Sequence, residues 1–293
     1  MTKYSEWIKY FEQNQWPGLP FAGAPPLSPG ERELITKSLR QFQLGEGAGG
    51  RTLRRLGSQF AQASGEAGYP RSLELFIAEE QRHSAMLGQF LDREGIERQR
   101  QDSADSLFRW VRKLWNHECM LMVLVSAECV AVPYYSALRD ATTSPLLGAL
   151  CRQILRDEAM HLIYQGQTLA KLSKGRGFWM ASVTRTLHRV MVLVSALVVY
   201  GQHGHFCRST GWTLEDFLGA SFQALGQVER RLPGSAVVGF SWSARSRPPL
   251  QPPWHAATLT QRKTPLFSTL GSEHHRPQLP QNGGDGGNGK LCI

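Results

Sequence analysis

Two segments of the sequence carry the same pairing, a glutamate followed three residues later by a histidine. Glu80 precedes His83 in the string EEQRH, and Glu158 precedes His161 in DEAMH. On an α-helix, a step of three residues places both side chains on one face. A carboxylate and an imidazole presented in this way can bind one divalent metal ion. Because a single Glu-x-x-His pair is more often part of a solvated helix surface, the repetition is the informative feature.

Two further glutamates stand at matching distances ahead of these pairs. Glu46 precedes Glu80 by 34 residues, and Glu128 precedes Glu158 by 30. A glutamate midway along an antiparallel neighbouring helix would face the pair that follows it. Glu128 also falls in the apolar run MLMVLVSAECVAV, where an unpaired carboxylate would be costly to bury. The pattern therefore predicts two copies of one unit, with metal ions as the counter-charge.

These motifs resemble those of the ferritin-like di-iron carboxylate superfamily, which includes bacterioferritins, ribonucleotide reductase small subunits and soluble acyl-carrier-protein desaturases. The strings EEQRH and DEAMH resemble the desaturase strings most, and the resemblance covers about residues 30–175. It implies two iron ions, with manganese or a mixed iron–manganese pair as the alternative. It also implies six metal ligands: Glu46, Glu80, His83, Glu128, Glu158 and His161.

Several neighbouring residues could support or extend such a site. The resemblance implies that Glu79 and Asp157 accept hydrogen bonds from the ligand imidazoles, the alternative being that they are surface acids. Three other histidines are predicted to be surface or capping groups rather than ligands, namely His188, His203 and His205. Three tyrosines are predicted to pack as amphipathic core residues unless they approach the site, namely Tyr134, Tyr135 and Tyr164.

The elements that must position these residues are predicted to be helices joined by short turns. Six helices are predicted, over about residues 28–63, 70–95, 103–138, 144–174, 178–201 and 213–232. Ser28 and Ser144, each followed by a proline, provide caps for two of them, whereas Ser103 or Ser106 would cap the third. No regular alternation typical of strands occurs. The fold class is therefore all-α, and the resemblance implies a ferritin-like four-helix bundle with additional C-terminal helices.

One segment complicates the first predicted helix. Glu46 lies in the string GEGAGG, and each glycine inside a helix costs roughly 0.8–1.0 kcal/mol relative to alanine. The alternative is a loop in which Glu46 is solvated. Apolar residues keep helical spacing on both sides of the string, so we predict that the helix continues and that the small residues open room for a substrate beside the metals.

The basic charge of the chain is concentrated near its C-terminal end. The chain has a net charge of +9, but eight of its Lys and Arg residues lie between residue 230 and the end, against two acids. The predicted domains are an N-terminal arm (1–27), the helical domain (28–232) and a disordered tail (233–293), whose abrupt change of composition suggests extraneous or out-of-frame coding. No basic stripe predicts nucleic-acid binding.

The five cysteines are odd in number, and no signal peptide is evident. Both features predict a cytoplasmic protein. The most apolar run, Val190 to Tyr200, is much shorter than the roughly 20 residues that span a bilayer. We therefore predict a core helix there and no membrane partner.

The resemblance implies an oxidoreductase that activates O₂ to oxidise an unidentified organic substrate, as an oxygenase or a desaturase does. Its partners would be O₂, that small molecule and an electron-donor reductase, and the chain could form a homodimer. The alternative is a ferroxidase or iron-storage protein, which a chain longer than a minimal bundle disfavours. No Cys-x-x-Cys motif supports a rubrerythrin-like peroxidase, and Leu87 stands where the radical tyrosine of ribonucleotide reductase would lie. Six candidate ligands disfavour a metal-free interaction scaffold.

Overall fold

The computed structural model describes residues 3–14, 16, 23–47, 50–99 and 116–232. Every regular element among these residues is a helix, as predicted. They are α1 (Tyr4–Gln13), α2 (Pro29–Glu46), α3 (Arg51–Ser64), α4 (Tyr69–Arg93), α5 (His117–Ala141), α6 (Pro145–Leu172), α7 (Phe178–Ser209) and α8 (Leu214–Glu229). The predicted disordered tail lies outside the described residues.

Local chemistry begins and ends several of these helices where the sequence predicts. The side chains of Ser28 and Ser144 accept hydrogen bonds from backbone amides three residues later, with proline in the first turn of each helix. Thr213 and Asp216 form a reciprocal capping box at the start of α8. Gly95, with a φ of 64°, follows the end of α4, where a side chain would strain the backbone.

Two pairs of helices form the framework around the candidate ligands. α5 packs along α6, to which a three-residue connection joins it, and α2 packs against α4. α4 also contacts α6, which links the pairs. The buried core runs through all four helices and includes four fully buried tyrosines, namely Tyr69, Tyr134, Tyr135 and Tyr164. This contact pattern brings α4 and α6, which carry the Glu-x-x-His pairs, side by side.

The first predicted helix is in fact two helices, so the prediction of a continuous helix through Glu46 is wrong. α2 ends at Glu46, and α3 begins at Arg51. The glycine-rich segment allows the break. At Gly50 there is no room for a side chain, because α4 packs against this position. A Cβ atom on Gly50 would lie 2.5 Å from Cδ1 of Ile77 on α4, which is far inside van der Waals contact.

The third predicted helix, over residues 103–138, is interrupted at Asn116, whose backbone is extended. α5 begins at His117, and the side chain of Asn116 accepts a hydrogen bond from the amide of Cys119 at 3.0 Å. Asparagine is as good a cap as serine, so Asn116 can begin a helix here. The predicted caps Ser103 and Ser106 lie outside the described residues. Pro133 lies within α5, as predicted.

The predicted N-terminal arm contains a helix that the sequence analysis missed. In α1, Tyr4, Trp7 and Phe11 repeat at spacings of three and four and are buried. The Tyr4 hydroxyl lies 3.1 Å from Oγ1 of Thr168, and Trp7 Nε1 donates to Gln167 at 2.8 Å, both on α6. The aromatic residues of the arm are thus part of the core.

The fifth predicted helix is longer than expected, and only one of its faces is buried in the core. In α7, Val192, Ala196 and Tyr200 are buried, but Val190 and Val194 are exposed. The prediction that the whole run Val190 to Tyr200 is core is therefore wrong. Apolar composition indicates that a segment avoids water. It does not indicate whether other residues of the same chain bury that segment.

Two of the described helices, α5 and α7, are long and apolar enough to cross a membrane by length and composition alone. The most apolar stretch of α5 is 89% buried, and that of α7 is 17% buried. One is therefore a core helix, and the structure is compatible with a soluble protein. The four cysteines in the described ranges are free thiols.

The buried His117 predicts a loss of stability in mild acid. Its Nε2 lies 2.8 Å from the hydroxyl of Tyr69, and burial lowers the pKa of His117 to about 4. An unfolded chain binds this proton near pH 6.5, so folding stability falls as the pH drops from 6.5 to 4. In His117→Gln, we expect the free energy of unfolding to decrease between pH 6.5 and 4 by up to about 3 kcal/mol less than in the wild type. Urea unfolding at several pH values would measure this difference.

The exposed His205 provides the control for this measurement. His205→Gln should leave the pH dependence unchanged. Burial likewise lowers the pKa of His188 to about 4, so His117→Gln should reduce the slope without abolishing it. An unchanged slope in His117→Gln would contradict the assignment.

Candidate metal centre

The structure brings all six predicted ligand residues into one buried cluster. α2 provides Glu46 at its last residue, and α5 provides Glu128. α4 and α6 provide the two Glu-x-x-His pairs. One group of four side chains has ligand atoms within 4.8 Å of one another: Glu46, Glu80, His83 and Glu158. A second group meets the same limit: Glu80, Glu128, Glu158 and His161.

Glu80 and Glu158 belong to both groups, which distinguishes the roles of the four carboxylates. A carboxylate has two oxygens and can bind two cations at once, so Glu80 and Glu158 are the residues that two bound cations could share. Glu46 and Glu128 each belong to one group and lie at the two ends. The resemblance implied that Glu46 and Glu128 would be the terminal or bridging carboxylates. Membership in both groups makes the glutamates of the Glu-x-x-His pairs the candidates for this shared role.

Both imidazoles point Nδ1 into the cluster. His161 Nδ1 lies 2.7 Å from Glu80 Oε1 and 3.6 Å from Glu158 Oε2. His83 Nδ1 lies 3.6 Å from Glu158 Oε1 and 4.0 Å from Glu46 Oε2. His83 Nδ1 and Glu128 Oε2 are buried without a hydrogen-bond partner, an arrangement that a bound cation would resolve. The residues therefore fit a metal by donor type, by spacing and by their unsatisfied atoms.

The other nitrogen of each imidazole is held by a carboxylate of the opposite helix. His83 Nε2 on α4 lies 2.9 Å from Asp157 Oδ2 on α6, and His161 Nε2 on α6 lies 2.9 Å from Glu79 Oε2 on α4. An ionised carboxylate can only accept, so Nε2 must carry the proton and Nδ1 is left for a cation. The prediction that Glu79 and Asp157 accept from the imidazoles is confirmed. We refer to these two reciprocal hydrogen bonds as the cross-brace.

A residue from the N-terminal arm, which sequence reasoning missed, joins the two sides of the cross-brace. Asn14 Nδ2 donates to Glu79 Oε1 at 2.6 Å and to Asp157 Oδ1 at 2.8 Å. Arg82 donates to both Glu79 and the backbone oxygen of Asn14. Gln153 Nε2 donates to Asp157 Oδ1 at 2.9 Å. The helical spacing of α1 could have predicted a packed arm, but nothing in the sequence pairs Asn14 with these acids.

The charge of the cluster explains its need for cations. Burial, together with neighbouring carboxylates, raises the pKa of Glu46 and Glu128 well above the usual range for glutamate. Burial opposes a charge on His83, but the hydrogen bond to Asp157 and the nearby glutamates outweigh it and raise the pKa of His83 to about 9. Four buried carboxylates would be balanced by two divalent cations.

Asp157 is held ionised by its partners. Burial alone would raise the pKa of Asp157, but the hydrogen bonds from His83 and Asn14 lower it to about 2. The cross-brace therefore keeps an acceptor for the imidazole at any pH near neutrality. A carboxylate that accepts from a ligand imidazole also increases the basicity of the ligand nitrogen.

The two end glutamates are each held by a neutral donor. The hydroxyl of Tyr135 donates to Glu46 Oε1 at 2.6 Å, and Gln165 Nε2 donates to Glu128 Oε1. Tyr135 thus approaches the site, whereas Tyr134 stacks on Phe42 with ring centroids 3.4 Å apart. These contacts fix one oxygen of each end glutamate and leave the other for a ligand role.

Tyr164 and the remaining histidines take structural places in the fold. Tyr164 is a core residue whose hydroxyl lies 2.9 Å from Ser72 Oγ, as predicted. His188 and His203 are buried and lie inside α7, so the prediction that they are surface or capping groups is wrong. They lie on the packed face of α7, and His203 Nδ1 lies 2.9 Å from Ser38 Oγ. His205 is exposed, as predicted. None of these three histidines belongs to the ligand groups found among the described residues.

Comparisons with models of protein families, with curated proteins and with solved structures find no match to this chain. The described part of the chain is all-helical and contains a buried cluster of glutamates and histidines that can hold metal.

Removing the amide of Asn14 tests the support of the cluster. We expect Asn14→Ala to weaken the binding of Fe(II) by roughly tenfold, since loss of a group that orients ligand partners typically costs 10- to 100-fold in affinity. Competition with a chromogenic chelator would measure the change. The neighbouring Gln13 is exposed, and Gln13→Ala should bind metal as the wild type does. Equal affinities in both variants would exclude a role for Asn14.

Proposed function

We propose that this chain is a ferritin-like protein whose buried cluster binds two metal ions and activates O₂ for the oxidation of an organic substrate. The observation that carries the proposal is the pair of overlapping four-residue groups, with Glu80 and Glu158 common to both. A mononuclear site would need no shared carboxylates. A surface patch of acids would lack the buried imidazoles and their fixed tautomers.

The donor set favours iron or manganese. Carboxylate oxygens and imidazole nitrogens suit these ions, whereas thiolate ligands would favour zinc or copper. When bound, an iron pair supplies electrons for the reduction of O₂. The four helices α2, α4, α5 and α6 supply ligands in the order expected for a ferritin-like bundle, one glutamate and then one Glu-x-x-His pair, twice.

The chain itself would orient the ligands, exclude water and hold protons. The cross-brace keeps both Nδ1 atoms directed inward. Phe76 packs edge-on against His161 with ring centroids 4.7 Å apart, and Phe11 of α1 lies 6.3 Å from the same ring. These apolar neighbours limit access of water from the α1 side. The Tyr135 hydroxyl holds a proton 2.6 Å from Glu46, where it can stabilise charge on that carboxylate.

A cavity beside the end of α2 favours an organic substrate. It has a volume of about 430 Å³, within the range of small-molecule sites. Leu44 and Gly47, which flank Glu46 in the sequence, line it together with Ser84. A Cβ atom on Gly47 would lie 3.0 Å from Ser84 Oγ, so a larger residue would intrude. The open space thus lies beside residues that precede and follow Glu46 in the chain.

Metal content tests the site directly. We expect the full chain, produced in iron-supplemented medium, to contain two irons per chain by elemental analysis. Glu158→Ala should lose most of both ions because Glu158 belongs to both ligand groups, and His161→Ala should lose at least one. Glu74 and His205 are exposed, and Glu74→Ala and His205→Ala should retain the wild-type content. A well-folded wild-type chain without metal would refute the proposal.

Reaction with O₂ separates oxidation of a substrate from iron storage, which the same ligands could also serve. We expect the protein loaded with Fe(II) to consume O₂, to accumulate no more iron than its two sites hold, and to form no large multimer in size-exclusion chromatography. Reductant and a library of small organic molecules would then be screened for O₂-dependent products. Accumulation of iron far beyond two per chain in a cage-sized assembly would assign storage instead.

A further inference from the structure

α7 presents a continuous apolar face to the solvent. Ten large hydrophobic side chains on this helix are exposed, whereas Leu214 is the only such residue elsewhere in the described ranges. The ten are Phe178, Trp179, Met180, Val183, Leu187, Val190, Leu193, Val194, Leu197 and Val198. Soluble monomers rarely leave so extended an apolar patch uncovered, and a patch of this kind marks an interaction surface.

Six of these residues follow the register of a coiled coil. Met180, Val183, Leu187, Val190, Val194 and Leu197 are separated alternately by three and four residues, which is the spacing of heptad positions a and d. Their exposed fractions lie between 42 and 62%. The six, here called the α7 seam, extend about 25 Å along the helix axis. Such a regular seam is the geometry with which one helix packs along another.

Among the described residues, packing on the opposite side of α7 keeps the helix from turning the seam inward. Its opposite side places Val192, Ala196 and Tyr200 in the core, and α7 packs there against α5 and α8. Arg189 forms an ion pair with Glu229 of α8, with Arg189 Nε 2.7 Å from Glu229 Oε1. These contacts fix the rotation of α7, so the seam faces outward.

The borders of the seam favour a second copy of the same surface. The flanking heptad positions on one side are Trp179, Thr186 and Leu193, and those on the other side are Thr184, Met191 and Val198. None of them is charged. Arg185 and Arg189 occupy positions away from the seam. Two copies can therefore meet without like charges in contact, and the apolar seam is complementary to itself.

We propose that the protein is a homodimer in which the α7 seams of two copies pack against each other around a two-fold axis. The α7 seam fits a second copy of the chain better than it fits a membrane surface. Helices that lie in a membrane interface usually carry several Lys and Arg residues along the border of the apolar face, and the borders here carry none. Contact with lipid also does not require apolar residues at heptad spacing, whereas packing against another helix does. The interface is separate from the metal cluster, and the proposal does not depend on metal.

A charge in the middle of the seam tests the interface. Leu187 lies near the centre of the six positions, so it lies near its own equivalent whichever way the partner helix runs. We expect the full-length wild type to sediment as a dimer, and we expect Leu187→Glu to raise the dimer dissociation constant at least about 100-fold. Leu214 is similarly exposed, on α8, and Leu214→Glu should remain dimeric. Sedimentation velocity and light scattering would measure the assembly.

Charge complementation gives a positive test that does not depend on loss of folding. Leu187→Lys should also be monomeric, and an equimolar mixture of Leu187→Lys and Leu187→Glu should recover dimers. A monomeric wild type would overturn the proposal, as would a dimer that persists in both charged variants. A monomer that floats with anionic phospholipid vesicles would assign the face to lipid and would also overturn it. Iron content, measured on the same samples, should be unchanged in every variant, which keeps this outcome distinct from that of the metal site.

Discussion

The cross-brace between α4 and α6 is the interaction on which the rest of the site depends. His83 and His161 each reach across to a carboxylate on the other helix, at 2.9 Å in both cases. Each hydrogen bond sets the tautomer of an imidazole and the spacing of the two helices at once. A rotation or slide of either helix would break both hydrogen bonds together. The orientation of the imidazoles and the register of the two helices are therefore fixed by the same two contacts.

The buried charge around this constraint would be costly without cations. Burial and neighbouring carboxylates raise the pKa of Glu46, Glu128 and Glu158, and the apolar core around them offers few donors. Tyr135 and Gln165 satisfy one oxygen of each end glutamate. A chain that only needed a stable helical core would gain by replacing this cluster with hydrophobic residues. The arrangement is therefore a stability cost that a metal function would explain.

The elements outside the four ligand-bearing helices have different tasks. α1 covers one side of the cluster with aromatic rings and delivers Asn14 to both acids of the cross-brace. α7 packs one face on the core and leaves the other as an apolar seam. The core contacts of α7 orient that seam outward, so the same helix links the interior of one chain to the proposed partner copy.

The sequence by itself determined the features that depend on local periodicity. The step of three residues from Glu80 to His83 is enough to place both on one helix face, and Ser28 and Ser144 cap helices through contacts three residues away. The helical class and the identity of the clustered acids and histidines could therefore be predicted. Even Glu79 and Asp157 were indicated, through resemblance and proximity to the ligands.

Only the tertiary structure decided which residues meet across helices. The exchange of partners in the cross-brace, the contact of Asn14, the end of α2 at Glu46 and the open face of α7 all depend on packing between segments far apart in the chain. Hydrophobic spacing indicates that a face is apolar, but the neighbour that covers it is a property of the whole fold. For that reason α1 was missed as a packed helix, and α7 was predicted to be more deeply buried than it is.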